Sequence, residues 1–427
     1  MERIAINKLK KWKESPLRKP LIMRGARQVG KTWIVKKFAE IYYPNNWVYI
    51  NFEEEKTLQS IFEDDFDIHR ILTTIELRKG CEINESTLLI FDEIQVALRG
   101  VMSLKYFCEN NRQQPIIAVG SLLGISMHTD DSFPVGKVDF LDLYPMSFRE
   151  FLMANGKQKW IDIIDNKKWD LLVVIRDQIQ MMLRQYYYVG GMPEVVDTYI
   201  RTGNMEEVRN VQNNILNAYV ADFSKHAPSK EVSRIRMIWD SIVGQLSKEN
   251  KKFLYNVLRE GARAKEFELA IEWLVDAGLI YKVKRTKSGE LPLNAFEDFG
   301  TFKLFMLDIG LLCALAKVSS TILTEGDSLF STFKGALTEQ FVCQQLWNSV
   351  DLLYYWSAEN SQGEIDFLVQ KDQKVIPIEV KAEENLKAKS LRFFVGKYKG
   401  LHGIRFSMAD YREQDWMTNI PLYSVLG

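Results

Sequence analysis

Residues 20–32 read Pro-Leu-Ile-Met-Arg-Gly-Ala-Arg-Gln-Val-Gly-Lys-Thr, an apolar run that passes into GxxxxGKT. Gly25, Gly30, Lys31 and Thr32 hold the fixed positions of a phosphate-binding loop. The flanks suit it, with Leu21-Ile22-Met23 as a strand before the loop and Trp33 to Phe38 as an apolar helix start after it. Glycines let the backbone N–H groups of Gly25, Ala26, Arg27, Gln28, Val29 and Gly30 close on an anion, and Lys31 reaches its terminal charges. The Thr32 hydroxyl is placed to ligate Mg²⁺, and the following helix turns its positive end toward the phosphates. ATP and Mg²⁺ are the cofactors this pattern implies.

The rest of the composition narrows the setting. With 427 residues and 46% hydrophobic residues, the chain can bury cores for roughly two to four domains. Lys and Arg total 56, as do Asp and Glu, so no global field draws it to nucleic acid or a membrane. Cys81, Cys108, Cys313 and Cys343 lack ligand spacing, and only four histidines are present. A disulfide framework, a zinc site and a His-based centre are therefore not expected. The N-terminus, MERIAINKLKKWKESP, is no signal peptide, and no 18-residue apolar run occurs. A soluble, cytoplasmic protein with no membrane partner is expected.

From 17 to 150, short apolar runs at 20–24, 46–52, 87–91, 115–119 and 138–143 alternate with helical stretches, the pattern of a parallel α/β sheet. Leu88-Leu89-Ile90-Phe91-Asp92-Glu93 is an apolar strand ending in two carboxylates. Behind a phosphate loop, Asp92 would hold Mg²⁺ through water and Glu93 would polarise the attacking water. The run Trp47 to Phe52 provides an intervening strand that sets this second motif away from the loop strand. Ser121, after Ile116-Ile117-Ala118-Val119-Gly120, stands where a polar sensor of the γ-phosphate would stand, or is a simple turn serine.

With those residues in hand, the chain resembles a prokaryotic family of AAA-type ATPases with a C-terminal domain of uncharacterised function. The likeness rests on GARQVGKT, LLIFDEIQ, AVGS, LYPMSFREFL, YYYVGGMPEVV, FKLFMLDIGLL, GALTEQFV, EIDFLV and PIEVK. It implies an AAA+-like domain over 1–150, a helical lid or linker over 151–230, a winged-helix-like domain over 231–324 and a further α/β domain over 325–427. One departure is visible. Where the family shows Gly-Arg before the Pro-Met-Ser-Phe segment, this chain has Gly136-Lys137. If that arginine acts on the transition state, Lys137 keeps the charge but loses the fork, and hydrolysis would be slow. Arg99 and Arg149 are other cationic candidates, each more simply read as a solvated residue.

Residues 248–285 read as two helices followed by a strand, with Leu254, Val257 and Leu258 on the first and Phe267, Ile271, Leu274 and Val275 on the second. That order suggests a winged helix. Arg259, Arg263, Lys265, Lys282, Lys284, Arg285 and Lys287 would then either contact nucleic-acid phosphates or remain solvated.

Residues 364–370 and 374–381 flank a short turn at Asp372-Gln373. A two-residue turn pairs Ile365 with Val380, Asp366 with Glu379, Phe367 with Ile378 and Val369 with Ile376, giving one apolar and one polar face. Asp366 opposite Glu379 and Lys381, with Glu339 on the preceding helix, resembles the active-site layout of the PD-(D/E)XK nucleases. Glu339, Asp366 and Glu379 would hold a divalent metal and Lys381 would orient water. Members of that fold also serve as binding scaffolds.

The resulting expectation is a Mg²⁺-dependent ATPase coupled to a nuclease-like domain acting on DNA or RNA. The alternative is an ATP-dependent switch whose C-terminal domain binds a protein partner without cutting. The oligomeric state is not written in the sequence.

Overall fold

The structure is a computed structural model and describes residues 1–97, 99–120, 133–248, 251–323, 331–350, 352–358, 363–383 and 388–426. The chain divides into two compact units. One comprises residues 2–144 with 276–278, the other residues 145–275 and 279–427 with Met1.

The first unit is built on five parallel strands, β1 (Leu21–Arg24), β2 (Trp47–Asn51), β3 (Leu88–Asp92), β4 (Ile116–Val119) and β5 (Asp139–Asp142), in the order β2-β3-β4-β1-β5. Helices α1 (Ala5–Glu14), α2 (Lys31–Tyr42), α3 (Ile68–Lys79) and α4 (Gly100–Asn110) complete it. Every residue of β3 and β4 is buried, as continuous apolar strands inside a parallel sheet must be. The strand that separates β3 from β1 in space is β4, whereas the run at 47–52 takes the sheet edge. Within this unit Gly278 lies against the phosphate loop, where a Cβ would come 3.2 Å from the Ala26 nitrogen.

The second unit begins with helices α5 (Phe148–Ala154), α6 (Gln158–Asp165), α7 (Trp169–Val174), α8 (Arg176–Val189), α9 (Pro193–Thr202), α10 (Met205–His226), α11 (Val232–Leu246) and α12 (Ala264–Asp276). It continues through β6 (Ile280–Thr286), β7 (Glu297–Met306), α13 (Ile309–Leu315), α14 (Ser331–Trp347), β8 (Leu353–Ser357), β9 (Glu364–Lys371) and β10 (Lys374–Val380). It ends with α15 (Lys389–Lys397), β11 (Gly403–Ser407), β12 (Arg412–Glu413) and β13 (Met417–Pro421).

Several of the sequence segments converge on one buried junction in this unit. In Pro-Met-Ser-Phe-Arg-Glu, Ser147 and Glu150 form a reciprocal capping box that starts α5. The Tyr186 hydroxyl donates to Met146 O at 2.6 Å, and Met146 N donates to Gly191 O at 2.6 Å. Gly191 N in turn donates to the fully buried Asp308 at 2.6 Å, which also accepts from Leu311 N and Gln344. The two glycines are sterically required. A Cβ on Gly190, at φ +78°, would come 2.2 Å from Asp308 Oδ1, and one on Gly191 would come 2.0 Å from Met146 O. YYYVGGMPEVV and FKLFMLDIGLL are thus packing motifs here.

Two expectations change. Residues 253–258 do not make the first helix expected there: Phe253 N donates to Phe302 O, and Gln245 bonds both the N–H and the carbonyl of Leu254, leaving only a short 3₁₀ turn at Tyr255–Val257. The sheet also crosses the boundary expected at 324/325. Its order is β12-β13-β11-β10-β9-β8-β6-β7, with β6 parallel to β8 over Lys284–Thr286.

The Asp372-Gln373 turn has φ of 48° and 58°, suiting a primed hairpin turn. Pairing follows the expected register from Lys371–Lys374 to Phe367–Ile378. Beyond that, β9 carries one extra residue against β8: Leu368 pairs Tyr354 and Ile365 pairs Trp356. This bulge puts Ile365 and Leu368 into one cluster with Val375 and Leu391, where strict alternation would part them. Asp366 and Phe367 both stand at the bulge.

Candidate functional sites

The phosphate loop sits between β1 and α2 at the carboxyl end of the sheet, where open α/β folds bind ligands. Gly25 (φ +143°), Gln28 (φ +64°) and Gly30 (φ +92°) give it its curvature, and a Cβ on Gly25 would come 2.2 Å from Leu143 O. Lys31 is buried, and its ammonium donates to Gly25 O at 2.8 Å and Ala26 O at 2.7 Å. Burial pushes its pKa down to about 8, with the Glu93 and Asp92 charges opposing the shift. A partly desolvated ammonium held on the loop's own carbonyls is well placed to receive an anion.

Asp92, at the end of β3, is buried and accepts three hydrogen bonds. Its Oδ2 accepts from Thr32 Oγ1 at 2.8 Å and from the Tyr49 hydroxyl at 2.7 Å, and its Oδ1 accepts from Glu93 N at 3.0 Å. Thr32 and Asp92 thus stand together as hard oxygen donors, a set that fits Mg²⁺. Glu93 is at φ +51°, and the Gln95 amide donates to its carboxylate. Two residues of this region carry no sequence signal. Tyr49 reaches Asp92 only because β2 pairs β3. The buried Arg3 donates to Val29 O at 2.9 Å and to Tyr144 O at 2.7 Å, clamping the loop from the N-terminus.

Lys137 does not join this site. It precedes β5, whose first residue Asp139 pairs with Leu21 at the start of β1, so it lies at the opposite end of the sheet from the loop. Its ammonium pairs with Glu109 at 2.9 Å. Arg149 forks onto Asp165 at 2.6 and 2.8 Å, and Arg99 donates to Glu63 O and stacks 4.3 Å from the Phe66 ring. Ser121 lies outside the described residues.

The C-terminal acids are assembled differently from the expectation. Glu339 on α14 pairs with Lys251, and Lys303 stands 3.7 Å from its other oxygen. Lys303 is fully buried on β7, also pairs with Glu364, and lies 4.8 Å from the centre of the Tyr355 ring. Asp366 Oδ2 accepts from Val380 N at 2.7 Å, which ends the β9–β10 ladder where Glu379 would have paired with it. Lys381 pairs with Glu379 at 3.0 Å.

The electrostatics follow from this packing. Burial and the Glu339 charge push Asp366 up to about 7. Burial opposes the Lys303 ammonium, yet Glu339, Glu364 and Asp366 hold its pKa above the ordinary value. Glu339 is held below the usual carboxylate range by Lys251 and Lys303, against the effect of burial. Among the described residues no three His, Cys, Asp or Glu side chains are grouped to hold a metal ion. A lysine ammonium or a backbone N–H engages one oxygen of each of Glu339, Asp366 and Glu379, whereas Glu339 Oε2 and Glu379 Oε2 are buried without a hydrogen bond. Lys251 and Lys303 had no signal in the sequence, being 88 and 36 residues from Glu339.

Among the described residues, no helix is long and apolar enough to cross a membrane. Residues 334–425 match the family model of a domain of unknown function, DUF4143, and residues 180–322 match that of another, DUF8612. An uncharacterized protein of Methanocaldococcus jannaschii is 20% identical over 245 residues, which cover 56% of this chain and 50% of that protein. The chain thus spans about half the length of that relative. Among solved structures, a Walker-type ATPase of Pyrococcus abyssi is similar at 14% identity and a TM-score of 0.44, over 73% of this chain and 94% of that one. The Aeropyrum pernix ORC1 protein, solved in complex with DNA, is similar at 10% identity and a TM-score of 0.30, over 74% and 93%. Residues 17–152 match the family model described as an AAA domain, and the phosphate loop and Asp92 lie within that segment.

Proposed function

We propose that the chain binds ATP with Mg²⁺ through Gly25 to Thr32 and hydrolyses it. The observation that carries this reading is the meeting of Thr32 and Asp92 at 2.8 Å beside the buried Lys31. Mg²⁺ held by this pair would neutralise charge developing on the phosphates. Lys31 would leave the loop carbonyls for the terminal phosphates, and Glu93, freed from Gln95, would take the proton of the attacking water. Lys31→Ala should abolish ATP binding. Glu93→Gln should spare binding and cut turnover by about 10²–10⁴-fold; equal turnover in Glu93→Gln and wild type would refute the role given to Glu93.

The middle and C-terminal segments support a downstream element under nucleotide control. Helices α11 and α12 followed by the β6–β7 hairpin are consistent with a winged-helix-like unit. The order α14, β8, β9, β10, α15, β11 supports a PD-(D/E)XK-like fold. Four of the cations that would meet nucleic acid are instead paired: Arg259 with Glu266, Lys282 with Glu272, Lys284 with Glu297 and Arg285 with Asp298. This favours the second reading, a nucleotide switch whose C-terminal unit engages a protein partner. ATPase and nuclease assays run together, with Mg²⁺ and either DNA or RNA, separate the two; cleavage lost in Lys381→Ala would restore the nuclease reading.

A further inference from the structure

We propose that Lys303 and Lys251 are built-in counter-ions of the C-terminal carboxylates and hold the place a divalent cation would take. The cluster is then an ion-paired brace joining α14, β7 and β9 to the segment at 251, and it works without metal. This inference stands apart from the ATPase reading.

The geometry argues for it in three ways. First, the central ammonium is committed. Lys303 has no solvent exposure and stands between Glu339 and Glu364. A lysine is tolerated there only when its charge is fully matched. Second, the acids draw on protein donors: Glu339 on Lys251, Glu364 on Lys303, Glu379 on Lys381 and Asp366 on Val380 N. Three ammoniums thus face four carboxyl groups, and Asp366, the one without a lysine of its own, is pushed up to about 7 by burial and the Glu339 charge. Third, Glu339 Oε2 is buried without a hydrogen bond, and the Lys303 ammonium supplies an opposing charge 3.7 Å away. Removing the lysine would leave these acids mutually repelling and open to a cation.

The test uses the full chain without nucleotide, carrying Asp92→Ala to silence the phosphate-loop metal. Mn²⁺ binding is measured by equilibrium dialysis, and the thermal midpoint is measured in EDTA and in Mn²⁺. The expected result is no Mn²⁺ bound at millimolar concentration and no shift in midpoint. Adding Lys303→Gln should lower the midpoint in EDTA, create a Mn²⁺ site and let Mn²⁺ restore at least half of the loss. A further Asp366→Asn should remove that recovery. If Lys303→Gln does not fold, Lys251→Gln, at the rim of the cluster, is read the same way. Mn²⁺ binding and stabilisation in the Asp92→Ala chain, lost on Asp366→Asn, would overturn the proposal. A folded Lys303→Gln chain indifferent to Mn²⁺ would overturn it as well.

Discussion

Lys31 and Lys303 are both buried lysines beside acidic groups, and their surroundings act on them in opposite directions. At Lys31 burial outweighs Glu93 and Asp92, so the ammonium is held loosely and its pKa falls to about 8. At Lys303 the charges of Glu339, Glu364 and Asp366 outweigh burial, and the ammonium is held more firmly than in water. The first lysine leans on neutral carbonyls that it can leave for a phosphate. The second is tied into ion pairs that no incoming anion improves. Burial alone therefore does not mark a functional lysine; whether its charge is already matched does.

The sharpest way to break this contrast is to remove each charge in turn. Lys303→Met should destabilise the second unit by about 3–5 kcal/mol, the usual cost of orphaning a buried partner. Lys31→Met should change stability by less than about 1 kcal/mol, since it loses two modest hydrogen bonds and sheds a desolvated charge. Denaturant unfolding of both variants checks this, and similar losses at the two sites would end the distinction.

The next effect is on ligand affinity against pH. Because the Lys31 pKa is lowered in the free loop and ATP needs the charged form, binding takes up a proton as pH passes above 8. ATP affinity should then fall by up to about tenfold per pH unit. Titrations at pH 7 and pH 9 measure it, and a flat profile would show that Lys31 is as well matched as Lys303.

A smaller effect belongs to Asp366. Its raised pKa means that ionisation costs the fold stability. The penalty is absent below the normal carboxylate range and grows as pH rises toward 7. Asp366→Asn should therefore stabilise the protein at pH 8 and change little at pH 4. An equal effect at both values would mean that the carboxyl does not titrate there. Smallest of all, Lys137→Ala should leave ATP turnover within about twofold, as its salt bridge to Glu109 is exposed. A large loss would return that lysine to the nucleotide site.

Local patterns in the sequence carried the phosphate loop, the five strands of the first unit and the β9–β10 register from the turn as far as Phe367–Ile378. In each case neighbouring residues decide the outcome: glycine spacing at 25 and 30, apolar runs such as 88–91, a two-residue turn at 372–373. Long-range contacts were hidden. Arg3 reaches Val29, Tyr49 reaches Asp92 and Lys251 reaches Glu339 through the tertiary fold, and nothing beside them in sequence announces it. The helix expected around 254 failed for the same reason, since its backbone is claimed by Gln245 and Phe302. At Asp366 the alternating pattern was legible, but the bulge that re-aims it depends on β8, a strand outside the hairpin.

The hairpin formed by β6 and β7 completes a sheet whose other strands come from the last quarter of the chain. A polypeptide starting at residue 325 would keep α14 and β8 to β13 but be born with β8 as a bare, hydrogen-bond-hungry border of mostly apolar side chains. It would also have left Lys251 and Lys303 behind, keeping only Lys381 of the three ammoniums. What looks in sequence like a separable terminal module takes two strands of its sheet and two of its lysine counter-charges from residues 251–306.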